Sequence, residues 1–414
     1  MTANPLPVFC TGVIMAPRHA PVKAVGARSG ADMLYSRTRN SARRPRREGV
    51  KRTTPMQRRI QITLGLVFGA VLVWWLFKDT NWGAVLTALR SANWGWMAVC
   101  VGLVFLSFVV RIWRWHYIVC SDRKVSFARM FSATQIGFLA NFVLPARMGE
   151  PIRAIVLSRS TGIPFSKTFA FVAIDRVTDM AGLVAVLGLT VATFHPAHAI
   201  RLPADLQNLY SGEISELLVR RAAEMVALGM MVLTGGMFLV YFQRERAVRW
   251  SDRIVGVFSR KLAKKAAGLV GHFTEGMSAM GKPAHLGRAV LVSLLLWGIF
   301  LATHWTMFKG MHLDLPWTAP FVTLSLLAVF ISVPGPPGFV GPFHVAIVAG
   351  LLLVSPGIDM NVARATAILA HLLNLIPVVA VGLWCLSTEK MSLRELKRES
   401  EHVQELGADA GKQA

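Results

Sequence analysis

Apolar runs recur along this chain at close to the length of a helix that crosses a bilayer: Met97 to Val119, Lys167 to Phe194, Ala223 to Phe242, Ala289 to Phe308 and Arg364 to Leu386. A spanning helix needs about 20 predominantly apolar residues, and in hydrocarbon only helices and closed barrels satisfy every backbone polar group. The pattern therefore predicts an all-α, polytopic membrane protein. Composition agrees, with 54% hydrophobic and 16% charged residues in 414, against about 25% charged in a soluble domain. The formal charge of +23 would suggest nucleic acid in a soluble chain. Here the basic residues cluster beside the apolar runs and read as topology signals and contacts with anionic lipid, so no nucleic-acid partner is expected. Cys10, Cys100, Cys120 and Cys385 lie far apart with no CxxC, so neither a disulfide framework nor a metal site is expected, and no cofactor motif stands out.

Three regions follow from this pattern. Residues 1–59 carry thirteen Lys and Arg against Asp32 and Glu48 and no hydrophobic periodicity, the pattern of a disordered basic tail. Two readings stand side by side: a tail bound to the cytoplasmic leaflet, or a start set too early, with Met56 as the true first residue. Residues 60–388 form the transmembrane domain, and 389–414 a cytoplasmic tail. The segment 243–288 holds ten basic and three acidic residues, the clearest positive-inside signal. Ile254, Val257, Phe258 and Leu262 could form the apolar stripe of a helix lying on the membrane.

The first span is expected from Ile62 to Phe77, with Trp82, Trp94 and Trp96 as interfacial anchors on the far side. Arg111 and Arg114 share a face near the end of the second span, either snorkelling to the cytoplasmic headgroups or lining a polar site. From Met130 to Leu144 the chain is apolar but too short to cross with ease, and Pro145 to Glu150 breaks it. A re-entrant hairpin that turns there and climbs back through Ile152 to Leu157 fits, as does a short span ending in a loop where Glu150 and Arg153 pair at the surface. Pro151 suits the first turn of a new helix whose amides would welcome an anion.

The next span carries Asp175 and Asp179 on one face with Arg176 beside them. Two carboxylates four residues apart repel unless a cation intervenes, and Arg176 or Arg153 would supply it. A charge in a membrane segment costs about 2.5 to 3.5 kcal/mol, so such residues usually face a protein interior or a water-filled cavity. A second break follows at Pro334 to His344, between apolar Trp317 to Val333 and Val345 to Val354, where so much Pro and Gly cannot stay helical. His304 precedes it, and His371 and Asn374 lie in the last span. The count is about six full spans and two oppositely oriented re-entrant helical hairpins, with both termini cytoplasmic. Many transporters follow such an inverted pattern.

In combination, Asn141-x-x-Leu144-Pro145-x-Arg147-x-Gly149-Glu150-x-x-Arg153, then Asp175-Arg176-x-x-Asp179, then Pro337-Gly338-Phe339-Val340-Gly341 resemble the lysylphosphatidylglycerol synthase transmembrane-region family, also described as flippase-like. The resemblance covers roughly residues 60 to 390. It implies a bacterial cytoplasmic-membrane protein that moves a lipid or lipid-linked substrate, as the membrane half of the multiple peptide resistance factor moves aminoacylated phosphatidylglycerol. The substrate-binding residues it implies are Asn141, Arg147, Glu150, Arg153, Asp175, Arg176, Asp179, Pro337, Gly338, Gly341 and His344. Arg147 and Arg153 would hold an anionic phospholipid headgroup, and the carboxylates would counter a cationic group or orient the arginines.

Fused members add a soluble aminoacyl-transferase domain, and only about 28 residues follow the last apolar run here, so lipid aminoacylation is not expected. Members often place a Glu shortly after the Pro-Gly turn, where this chain has His344. No GxxxxGK[ST] loop is present, so ATP hydrolysis is not the expected driver. The competing readings are a membrane enzyme using Asp175, Asp179 or His344, and an accessory protein that holds a separate synthase. An oligomer is compatible with all three.

Overall fold

The computed structural model describes residues 67–120, 124–144, 148–194, 283–332 and 336–399, together with isolated positions between 200 and 235. The basic tail, Arg147, most of the span expected at Ala223 to Phe242 and the amphipathic stripe near Ile254 lie outside the described residues.

The regular structure of the described chain is helical apart from a two-residue antiparallel pairing, in which Ile200 sits opposite Ile214 and Arg201 opposite Glu213. Helix α1 (Val67–Phe77) leads to α2 (Trp82–Arg90), whose Asn81 side chain accepts a hydrogen bond from the Ala84 amide. The long α3 (Trp94–Val119) is capped by Asn93, which accepts from the Gly95 and Trp96 amides. Asx caps of this kind satisfy donors that a helix start would otherwise leave open. Trp82 and Trp94 are exposed, 59% and 61%.

Helices α4 (Phe127–Val143) and α5 (Gly149–Thr161) pack against each other across the first break. Their close approach depends on glycine. A Cβ on Gly149 would lie 2.3 Å from the Gly137 carbonyl oxygen and 2.5 Å from the Asn141 amide group. Helix α6 (Phe165–Thr193) follows, then α7 (Pro283–Gly310), which packs against α3.

The second half repeats the broken arrangement. Helices α8 (Ala319–Ser332) and α9 (Pro342–Val354) pack together, with Gly350 closing on Thr323. A single 3₁₀ turn at Pro337–Phe339 lies between them. Gly341, at φ +98°, reverses the chain into α9 in a conformation that favours glycine. Helix α10 (Met360–Thr388) contains Pro377 and begins at Asp359, whose carboxylate accepts from the Asn361 and Val362 amides. A last helix, α11 (393–399), opens on a reciprocal Ser392–Glu395 capping box.

Among the described residues, four helical stretches are long and apolar enough to cross a membrane: Trp94–Val119, Ala284–Gly310, Pro337–Val354 and Met360–Thr388. The stretch Pro337–Val354 reaches 18 residues only by joining the 3₁₀ turn to α9, and His344 falls in the first turn of α9 rather than in a loop. Helix α6 is also 29 residues long, but it carries Lys167, Asp175, Arg176 and Asp179.

Apolar packing divides into two main clusters. One joins Ile112, Trp115, Met130, Ile152, Phe171, Leu286 and Leu386, at the end of α3, the start of α7 and the end of α10, around the first broken pair. The other joins Leu76, Phe308, Ala319, Ile347 and Ala363, at the end of α7 and the start of α10, around the second. The two broken pairs therefore sit at opposite ends of α7 and α10, with their breaks directed toward the middle.

Candidate functional site

A cavity of about 340 Å³ occupies that middle. Helix α3 contributes Val104, Ser107, Phe108 and Arg111; α7 contributes Trp297, Phe300, Thr303 and His304; α10 contributes His371, Asn374 and Val378. The first break adds Asn141, Phe142 and Glu150, and the second adds Gly338, Phe339 and Phe343. Arg176 and Asp179 of α6 complete the polar side. Phe142 and Phe339, one from each break, meet edge to face with ring centroids 5.9 Å apart.

Beside and behind this wall lies an ionic network. Arg114 donates from Nε to Asp175 Oδ1 at 2.9 Å, and from Nη1 to Asp179 Oδ1 and to Ser293 Oγ at 3.2 Å. Arg153 donates to Asp175 Oδ2 at 2.6 Å while its guanidinium stacks 3.6 Å over the Trp115 ring. Arg176 bridges outward, 3.1 Å from Glu150 Oε1 and 3.7 Å from Asp179 Oδ2. Trp297 donates its indole N–H to the Asp179 carbonyl at 3.2 Å. Arg114 and Asp175 are fully buried and Arg153 is 2% exposed, whereas Asp179, Arg176 and Glu150 keep 17%, 34% and 29% side-chain exposure. Buried charges persist only when paired and hydrogen-bonded; both oxygens of Asp175 are engaged in this way, while Arg114 Nη2, Arg153 Nε and Nη2 and Arg176 Nε are buried without a hydrogen-bond partner among the described residues.

The structure brings together most of the expected site residues and separates their roles. Asn141, Glu150, Arg176, Asp179 and Gly338 line the cavity; Asp175 and Arg153 stand behind it, engaged with each other. Arg153 is thus neither at the surface paired with Glu150 nor facing the cavity. Arg147 lies outside the described residues. Asn141 accepts a hydrogen bond from the Gly149 amide at 2.8 Å, so the first donor of α5, expected to be open to an anion, is already taken.

Pro337, Gly341 and His344 form the shell behind the second break. His371 donates from Nε2 to the Gly338 carbonyl at 2.9 Å, its Nδ1 lies 3.4 Å from His344 Nε2, and His344 Nδ1 accepts from the Gly341 amide at 3.4 Å. One proton arrangement satisfies all three contacts, with both rings neutral and each carrying its hydrogen on Nε2. The two imidazoles thereby tie the turn to α10.

Snorkelling fails for Arg114. It is the cation between Asp175 and Asp179, the role expected of Arg176 or Arg153, and Arg111 on the same face reaches the cavity. Their three-residue spacing was the available signal. A position beside a basic loop masked it, because stem length alone permits either direction. No group of three or more His, Cys, Asp or Glu side chains suited to a metal ion occurs among the described residues.

Apolar helices of spanning length around an internal ionic cavity define a helical membrane protein. The chain belongs to the lysylphosphatidylglycerol synthase transmembrane-region family: the model of the Lysylphosphatidylglycerol synthase TM region matches residues 62–382. Similar proteins include Glycosyltransferase AglD of Haloferax volcanii, 25% identical over 367 residues covering 84% of this chain and 57% of that protein. A UPF0104 membrane protein of Methanothermobacter thermautotrophicus is 23% identical over 345 residues, 79% of this chain and 93% of the relative. A second from the same organism is 22% identical over 335 residues, 77% and 92%. The chain spans little more than half the length of the glycosyltransferase.

Proposed function

We propose that this protein translocates a lipid or lipid-linked substrate across a membrane, with α4–α5 and α8–α9 as re-entrant hairpins that enter from opposite faces. The carrying observation is the cavity itself, bounded by both breaks and by mid-length residues of α3, α7 and α10. If those three helices span, the cavity lies near the bilayer midplane, where transporters built on broken helices place their substrate sites. Non-helical backbone is tolerated at that depth only inside protein or beside water, and the described residues flanking each break border the cavity.

The lining has two parts. Glu150, Arg176, Asp179, His371 and Asn374 offer polar contacts to a headgroup, while Val104, Phe108, Leu324, Leu327 and Ile331 offer an apolar path for its chains. On this reading anionic phospholipids are the substrate class, and the positive-inside pattern of the basic segments supports a cytoplasmic-membrane location with both termini inside.

Vesicles reconstituted with the full chain and a fluorescent phosphatidylglycerol test the reading, with a membrane-impermeant quencher reporting lipid in the outer leaflet. The parent protein is expected to expose inner-leaflet probe at least about tenfold faster than empty vesicles. Glu150→Ala and Arg176→Ala are expected to remove most of that gain, about 1.4 kcal/mol or more of barrier. A parent rate equal to that of empty vesicles contradicts the proposal. A second reading, service to an enzyme of lipid-linked or envelope synthesis, draws on the relative named as a glycosyltransferase. Product formation without translocation would favour it.

A further inference from the structure

Among the described residues, four arginines and three carboxylates meet at the cavity and its wall: Arg111, Arg114, Arg153 and Arg176 against Glu150, Asp175 and Asp179. Every carboxylate is engaged by an arginine other than Arg111. Among the described residues Arg111 makes no ion pair or hydrogen bond, and its Nε is buried without a partner. Its guanidinium lies 4.9 Å from the Phe138 ring centroid and 5.6 Å from that of Phe300. Aromatic faces stabilise a cation and hold its plane, but they accept no conventional hydrogen bond and carry no counter-charge. Among the described residues one positive charge is therefore left over at a low-dielectric cavity, where an ion without a hydrogen-bonded counter-charge is costly.

We infer that Arg111 is the anion-binding group of this cavity and that its ligand is a phosphodiester amphiphile bearing one negative charge at that point. The inference deepens the translocation reading and rests on its view of the cavity as a lipid site. Three observations narrow the chemistry. The single excess charge matches a phosphodiester, whereas a phosphomonoester carries about −1.5 to −2 near pH 7. The planar guanidinium fork suits two oxygens of one tetrahedral anion. Glu150 and Asp179, which line the same cavity and are partly exposed, call for hydroxyl or ammonium donors on the same ligand. A fatty acid ends at its carboxylate and offers none, while a phosphodiester carries a second alcohol beyond the phosphorus.

Binding to the purified full chain in neutral detergent tests this by calorimetry. Dihexanoylphosphatidylglycerol is the probe, with dihexanoylphosphatidic acid, dihexanoylglycerol and glycerophosphoglycerol as comparisons. The parent is expected to prefer the phosphodiester lipid to the monoester and the uncharged lipid. Arg111→Gln is expected to weaken that lipid by about tenfold or more and leave dihexanoylglycerol unchanged. Arg111→Lys should keep part of the affinity, and Arg129→Gln, an exposed charge removed elsewhere on α4, should keep all of it. Tight binding of glycerophosphoglycerol without chains would identify a free phosphodiester as the ligand and overturn the amphiphile assignment. Arg111→Gln binding phosphatidylglycerol within about twofold of the parent, in a monodisperse preparation, overturns the role of Arg111. Arg111-dependent binding without translocation in vesicles would sink the transport reading alone; translocation with Arg111-independent binding would sink this one alone.

Discussion

At the scale of single residues, Asp175 is the most constrained position in the molecule. It is fully buried, and its two oxygens hold Arg114 from α3 and Arg153 from α5. Removing one partner of a buried ion pair typically costs about 3 to 5 kcal/mol, because the remaining charge keeps its desolvation penalty. Asp175→Asn leaves two guanidinium groups short of their counter-charge. It is expected to destabilise by at least that scale, seen as a large drop in the unfolding midpoint in detergent; an unchanged midpoint would mean that the network is solvated. The sequence displayed this residue plainly, since an aspartate inside an apolar run demands explanation. It did not display Arg114 as the partner. An arginine near the end of a span and beside a basic loop has two outlets of equal reach, and only the position of Ser293 and the two aspartates on neighbouring helices decides between them.

At the scale of elements, the breaks were legible and the caps less so. Pro145 to Glu150 and Pro334 to Gly341 announce themselves because proline lacks an amide hydrogen and glycine admits positive φ. Helix α2 was invisible to a hydropathy reading, being nine residues long and started by the Asn81 cap rather than by an apolar run. The first broken pair closes through glycine contacts that hydropathy does not register. Gly149→Ala would place a methyl 2.3 Å from the Gly137 carbonyl, so α4 and α5 must separate. A loss of about 1 to 3 kcal/mol is expected from such overpacking. Gly188→Ala in α6, where nothing lies within 4 Å of the added methyl, should be neutral or stabilising by up to about 1 kcal/mol. Equal midpoints for the two variants would contradict the close packing of α4 on α5.

At the scale of the whole molecule, the two broken pairs make one arrangement out of sequences that share no visible repeat. Each is anchored in its own apolar cluster, at opposite ends of α7 and α10, and each contributes residues flanking its break to the same cavity. Hydropathy could suggest the opposition, because the breaks interrupt runs that would otherwise cross. It could not supply the meeting point, which depends on Phe142 and Phe339 finding each other across about two hundred residues of chain. Cross-linking in native membranes addresses that meeting directly. With Cys10, Cys100, Cys120 and Cys385 replaced by serine, Phe142→Cys and Phe339→Cys are introduced together and treated with a short bismaleimide. A dominant 142–339 cross-link by peptide mass spectrometry, absent from a Phe142→Cys and Trp317→Cys control, is the predicted result. Two cysteines that each react singly but never with one another would contradict the convergence of the breaks on a shared cavity.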